Sequence, residues 1–160
     1  MTVCINPIIG SQICEIGKQP GGKDHYQAGR DAAARLLEVL PGSAQGCRDN
    51  RDFLQRAVRY LSAAGIRQYI DIGSGLPAAG NTHEVAHEAG PAARVAYVDY
   101  VDYDTVVVAH AGVLLTASPA VTVIPGDLRK PGDILAHPGL ATLIDFRQPV
   151  GCCLSPCCTS

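Results

Sequence analysis

The sequence has no excess of charge of either sign. Lys and Arg number 13 against 15 Asp and Glu, a formal net charge of −2. That balance gives no electrostatic case for a nucleic-acid or anionic-membrane partner. A long apolar run is also lacking. The most apolar window, Val106 to Leu115, is interrupted by His110 and is far too short to cross a bilayer. The start, Met1 to Gly10, has no basic region followed by an apolar stretch and a cleavage site. A secretory signal is therefore not expected, and a cytoplasmic location is. Nor is there an even set of cysteines. Of the 7, Cys4, Cys14 and Cys47 are scattered singles, while Cys152, Cys153, Cys157 and Cys158 crowd the end. That does not describe a disulfide framework. What is present suits one globular domain: 160 residues, 47 % of them apolar.

Residues 1–20 carry no periodicity and are expected to form an irregular arm, closed off by Pro20, Gly21 and Gly22. From His25 to Leu40 the apolar residues Ala28, Ala32, Ala33, Leu36, Leu37 and Leu40 recur at helical spacing, and Pro41-Gly42 ends the pattern. A second helix is predicted from about Arg51 to Ala64, capped by Asp49 or Asn50 and ended by Gly65. The period then changes. Gln68 to Ile72, Arg94 to Asp99 and Val121 to Ile124 read as strands. Between them Asn81, with Glu84 three residues on, approximates a capping box for a helix ending at Gly90. Asp104 suits the cap of a helix through Leu115, and Pro131 suits a helical N1 position. Strands alternating with helices predict parallel βαβ units, an α/β fold.

The stretch Tyr69-Ile-Asp-Ile-Gly-Ser-Gly75 carries the most chemistry. A strand ends in an acid and runs into Gly-x-Gly, where glycines permit a tight turn and close ligand approach. Gly73, Gly75 and Ala78 also satisfy a loose dinucleotide pattern, which is weak alone. Asp71 discriminates. A pyrophosphate favours the positive end of a helix, and a carboxylate two residues ahead of the glycines would repel it. S-adenosylmethionine carries no phosphate but has a cationic amino group and a sulfonium, and suits an acid there. Asp99 ends the next strand, where it could accept from ribose hydroxyls in either kind of site. Asp127 ends the third, where its carboxylate or neighbouring backbone could face an adenine amino group. Val98-Asp99-Tyr100 is repeated at once as Val101-Asp102-Tyr103, so Asp102 is a second candidate for the ribose; strand length favours Asp99. His83-Glu84-Val85-Ala86-His87 has the spacing of a zinc-protease helix. No third ligand is evident and the helix follows a nucleotide-type turn, so no metal is assigned.

Several of these segments, in this order, resemble an actinobacterial family of S-adenosylmethionine-dependent methyltransferases. The likeness runs over roughly residues 21–150. It rests on Gly21-Gly-Lys-Asp24 with His25-Tyr26, on Asn50-Arg-Asp-Phe-Leu-Gln-Arg-Ala-Val-Arg-Tyr-Leu61, and on Asp71-Ile-Gly-Ser-Gly-Leu-Pro-Ala-Ala-Gly-Asn-Thr-His-Glu-Val85. Ala96-Tyr-Val-Asp99 and Asp127-Leu-Arg129 complete it. The resemblance implies a Rossmann-like class I methyltransferase fold with S-adenosylmethionine as a small-molecule methyl donor. It implies a cofactor lying over Gly73 and Gly75, with Asp71 near the amino group, Asp99 or Asp102 on the ribose and Asp127 near the adenine. No methyl acceptor and no catalytic base follow from it.

Members of that family continue past position 150 with an apolar fourth strand, whereas this sequence ends Gly151-Cys-Cys-Leu-Ser-Pro-Cys-Cys-Thr-Ser160. Written in GC-rich codons and read from the third base, those ten residues become Leu-Leu-Pro-Val-Ala-Val-Leu-His-Phe. The expectation is a frameshift at about Gly151, leaving a partial domain at 21–150 and an aberrant tail at 151–160 that is no strand. A soft-metal thiolate site is the rival reading of the tail, although vicinal pairs lack the usual spacing. With the last strands missing, Tyr69 to Ile72 would have an unpaired apolar edge. Self-association through it, marginal stability and no turnover are then expected. The alternatives are a non-catalytic remnant of the same fold and a fragment of an NAD-binding oxidoreductase.

Overall fold

The computed structural model describes residues 3–5, 38, 42–74, 80–99 and 118–154. Five parallel strands form one sheet: β1 (Val3–Ile5), β2 (Gln68–Ile72), β3 (Arg94–Asp99), β4 (Val121–Pro125) and β5 (Gly151–Leu154), in the order β1-β5-β2-β3-β4. Helices α1 (Ser43–Ala63) and α2 (Thr82–Ala89) cover one face. Two short helices, α3 (Pro131–Leu135) and α4 (Pro138–Leu143), cover the other. The expected α/β class and the three strands read from the sequence, β2, β3 and β4, are borne out. The helices expected at 25–40 and 104–115 fall outside the described residues apart from Glu38, which is helical.

Alternation along β2 explains the two layers. Tyr69 joins Val58 and Leu61 of α1, Val85 and Ala86 of α2, and Val95 and Tyr97 of β3. Ile70 faces the other way, among Ala96, Val98, Ile124, Ile134 and Leu140. Burial on both faces is the ordinary condition of a central parallel strand. The Tyr69 hydroxyl keeps a partner inside the core, 2.7 Å from Ser62 Oγ. At the lower end of the sheet the buried Gln68 side chain clasps the backbone of Asp145. It donates to the carbonyl at 3.1 Å and accepts from the amide at 2.7 Å. That clasp fixes the segment entering β5.

α1 ends as its sequence predicts. Gly65 has φ +92°, its amide donates to Ser62 and the Ile66 amide donates to Leu61, which together make a Schellman motif. Its start corrects the expectation. The helix begins at Ser43 after Gly42, so Asp49 and Asn50 lie inside it and cap nothing. Asp49 instead accepts from Gln45 at 2.7 Å, and Arg48 donates to Gln45. Such pairs one turn apart support an exposed helix, and they help carry it past Gly46.

Both ends of the chain bring larger corrections. The first 20 residues are not wholly irregular, since Val3–Ile5 adds a strand beside β5. The segment from Gly151 is a strand too, placed between β1 and β2. It alternates buried and half-buried positions, and Cys153 is fully buried like any small apolar residue. Gly151 is where Tyr69 needs room: a Cβ there would lie 2.7 Å from the Tyr69 ring. β2 is therefore paired on both sides, and the open edge on which self-association was expected is not there. Among the described strands the edges are β1 and β4.

Candidate active site

From β2 the sheet proceeds through β3 to β4 on one side, while β5 lies on the other. The chain reverses its direction of travel across the sheet at β2. In open α/β sheets the crevice beyond the carboxyl ends of the strands, at such a switch point, is where ligands bind. Gly73, Asp99 and Asp127 all stand at that end: directly after β2, at the last position of β3 and two residues past β4.

Gly73 has φ +73°, in the left-handed region, and its amide donates to the Val98 carbonyl at 2.8 Å. The strand thus keeps its pairing with β3 for one residue beyond Ile72 while the chain turns away. A side chain in that conformation costs roughly 1–2 kcal/mol, which is why glycine stands here. The turn closes at Gly80, φ +79°, against Gln55 of α1. Gly75 and Asp102 lie outside the described residues, as does the side chain of Asp99.

Asp71 is 1 % exposed, beneath the first turn of α2. Its Oδ2 accepts from Thr82 Oγ1 at 2.6 Å. Parallel register sets it beside Tyr97 of β3 and Cys153 of β5. Both neighbours feel it. Burial first, and then the Asp71 charge, push the Tyr97 phenol and the Cys153 thiol well above their ordinary values. Cys153 is therefore an inert thiol and not a nucleophile.

The start of α2 is tied down by side chains. Glu84 Oε2 accepts from the amides of Gly80 at 2.6 Å and Asn81 at 3.1 Å, its part of the expected capping box. The His83 amide donates to Tyr97 Oη at 3.0 Å. These donors, which at an open helix terminus would face an anion, are already engaged. His83 and His87 do not converge on a metal. His83 Nδ1 lies 2.7 Å from Tyr97 Oη and His87 Nε2 donates to the Ala93 carbonyl at 2.8 Å. Among the described residues, no group of three His, Cys, Asp or Glu side chains could hold a metal ion.

Asp127 is engaged by its own neighbour. Arg129 donates to both carboxylate oxygens, at 2.9 Å from Nε and 2.8 Å from Nη2, and its amide adds a third bond at 2.9 Å. Those bonds hold the Asp127 carboxyl below the usual carboxylate range. The same Asp-x-Arg clasp recurs as Asp145 and Arg147, at the opposite end of the sheet. The structure therefore brings Asp71 and Gly73 into one place beside Thr82, His83, Glu84 and Tyr97. Sequence reasoning missed Thr82 and Tyr97 as parts of this cluster. The available signal was alternation: Tyr97, two residues after Val95, shares its buried side of β3.

The whole architecture matches known structures. A protein from Thermobifida fusca YX, provisionally named a methyltransferase, is 40 % identical with a TM-score of 0.78, over 92 % of this chain and 53 % of its own. A DUF574 family protein from Streptomyces avermitilis MA-4680 is 35 % identical with a TM-score of 0.77, over 88 % of this chain and 53 % of its own. The fold is thus the Rossmann-like α/β fold of these neighbours. No curated protein matches the chain. The family model described as S-adenosyl methyltransferase matches residues 19–158, and the chain belongs to that family. It spans about half the length of the two solved structures.

Proposed function

We propose that the chain binds S-adenosylmethionine over the Gly73 turn and serves a methyltransferase as its donor-binding part. The observation that carries this reading is the charge around the turn. A buried carboxylate, Asp71, lies under it, and a second, Glu84, occupies the amides at its far end. A pyrophosphate would meet two negative groups and few open amides there. A ligand with a cationic amino group and a sulfonium meets a favourable field. Family membership points the same way.

The residues present fit the donor. Gly73 and Gly75 would let it approach the backbone, Asp99 or Asp102 would take the ribose hydroxyls, and the backbone around Asp127 would border the adenine. Asp71 would act through Thr82 and through its charge, since its carboxylate is covered. When bound, S-adenosylmethionine supplies a methyl group on a sulfonium. The protein's part is to orient it, and positioning alone can account for a large share of the rate of a two-reactant displacement.

A second reading is a chain that binds the donor without transferring from it. Titration calorimetry with S-adenosylhomocysteine and with NAD separates the readings from an oxidoreductase. Micromolar binding of the first and none of the second is expected; NAD binding without S-adenosylhomocysteine binding would overturn the proposal. Methyl transfer measured on the same protein then distinguishes the donor-binding part from an enzyme complete in itself.

A further inference from the structure

α2 begins where the glycine turn ends, so whatever holds its first turn also positions the ligand-binding backbone. One contact there is made by a group that can gain a proton. Tyr97 Oη accepts from the His83 amide at 3.0 Å and lies 2.7 Å from His83 Nδ1. An amide can only donate, so the hydroxyl's own proton is free to go to Nδ1. A phenol oxygen can accept twice, so the tautomer is read from the hydroxyl's need for an acceptor: donation to Nδ1 leaves the His83 proton on Nε2. Tyr97 is 2 % exposed, and among the described residues its hydroxyl has no other acceptor.

We propose that Tyr97 and His83 are positioning residues for the cofactor, acting as a proton-sensitive latch on the glycine turn. With His83 neutral, the latch is closed. A proton on Nδ1 turns the ring from acceptor to donor, and the buried Tyr97 O–H loses its partner, an arrangement proteins avoid. The first turn of α2 then loosens, and with it Gly80.

The surroundings favour the neutral ring. Burial, and to a lesser extent His87, lower the His83 pKa against an opposing pull from Glu84. Tyr97 is the group on β3 that faces it. Asp71, on β2, is bonded to Thr82, and Arg59, on α1, is paired with Glu88. Among the described residues, the charged or titratable groups that act on His83 are Glu84 and His87 of its own helix. The inference rests on the reading of the Gly73 turn as the donor site.

The test is calorimetry with S-adenosylhomocysteine at pH about 7.5 and about 5.5, which brackets imidazole titration, on the full chain and its Tyr97→Phe and His83→Asn variants. The parent should bind about fivefold or more weakly at the lower pH. In His83→Asn, whose amide oxygen can accept without titrating, the ratio between the two pH values should fall to about one. Tyr97→Phe should bind more weakly than the parent at the higher pH and lose the dependence. A pH dependence retained in His83→Asn, or parental binding by Tyr97→Phe, overturns the latch. If the parent binds no S-adenosylhomocysteine at all, the donor-site reading fails, and amide exchange decides the latch alone. Protection of Gly80 to Glu84 should drop with pH in the parent and not in His83→Asn; protection unchanged with pH in the parent refutes it.

Discussion

Replacing Thr82 by Val removes one hydroxyl and tests whether Asp71 is held where the site requires it. Thr82 Oγ1 donates to Asp71 Oδ2 at 2.6 Å, and both residues are 1 % exposed. A hydrogen bond to a charged group contributes about 1.5–3 kcal/mol. The methyl that replaces the hydroxyl recovers little, because it is set against a carboxylate. A net loss of about 2 kcal/mol follows, roughly thirtyfold in the folding constant at about 1.4 kcal/mol per decade. Urea denaturation followed by circular dichroism reads it directly. With a slope of about 1–3 kcal/mol per molar, the midpoint should fall by about 1 M. Thr82→Ser keeps the hydroxyl and should lose only about 0.8 kcal/mol for the missing methyl group. A Val variant as stable as the parent, or a Ser variant less stable than the Val, would refute the claim that this bond secures the buried acid.

Gly73→Ala forces a side chain into φ +73° and should destabilise by roughly 1–2 kcal/mol, read as a lower denaturation midpoint together with weaker S-adenosylhomocysteine binding. Gly126→Ala would set a Cβ 2.5 Å from Val98 and 2.8 Å from Ile134, and overpacking of that kind costs about 1–3 kcal/mol, visible as a lower melting temperature. Stability should also depend on pH through His83. Burial first, then His87, hold its folded pKa below the ordinary 6.5, so the unfolded chain binds more protons below that value. The contribution is complete above about pH 6.5 and is lost as pH falls through the folded pKa. His83→Asn should flatten that limb of a stability profile; a limb of unchanged slope would remove His83 from the account.

Strands β2, β3 and β4 were readable because each is a short β-rich run bounded by turn residues, as Gln68 to Ile72 is by Gly65 and Gly73. The start of α2 was readable because Asn81 and Glu84 form a local signal, complete within four residues. β5 was not. Four cysteines in the last ten residues suggest thiol chemistry, whereas Cys153 enters the sheet as a small apolar side chain opposite Asp71, and Gly151 leaves room for the Tyr69 ring, both partners far away in sequence. The start of α1 failed for the opposite reason. Asp49 and Asn50 have the chemistry of caps, but Gln45 and Arg48 offer hydrogen bonds that keep the helix going. In the site, Asp71 and the glycines showed through local chemistry. The partnership of Asp71 with Thr82, and of Tyr97 with His83, needed the parallel register of β2 with β3 and the docking of α2 across both. No spacing in the sequence encodes either of these.

The central claim is that a cationic adenosyl ligand lies on the turn between β2 and α2. Amide chemical shifts recorded while the chain is titrated with S-adenosylhomocysteine test it most directly. The largest changes should fall on Gly73, Ser74, Asp99 and the segment Gly126 to Leu128, all at the carboxyl end of the sheet. Gln68 and Asp145, at the opposite end, should stay still. Shifts centred on Gln68 and Asp145, or no shifts at saturating ligand, would contradict the account.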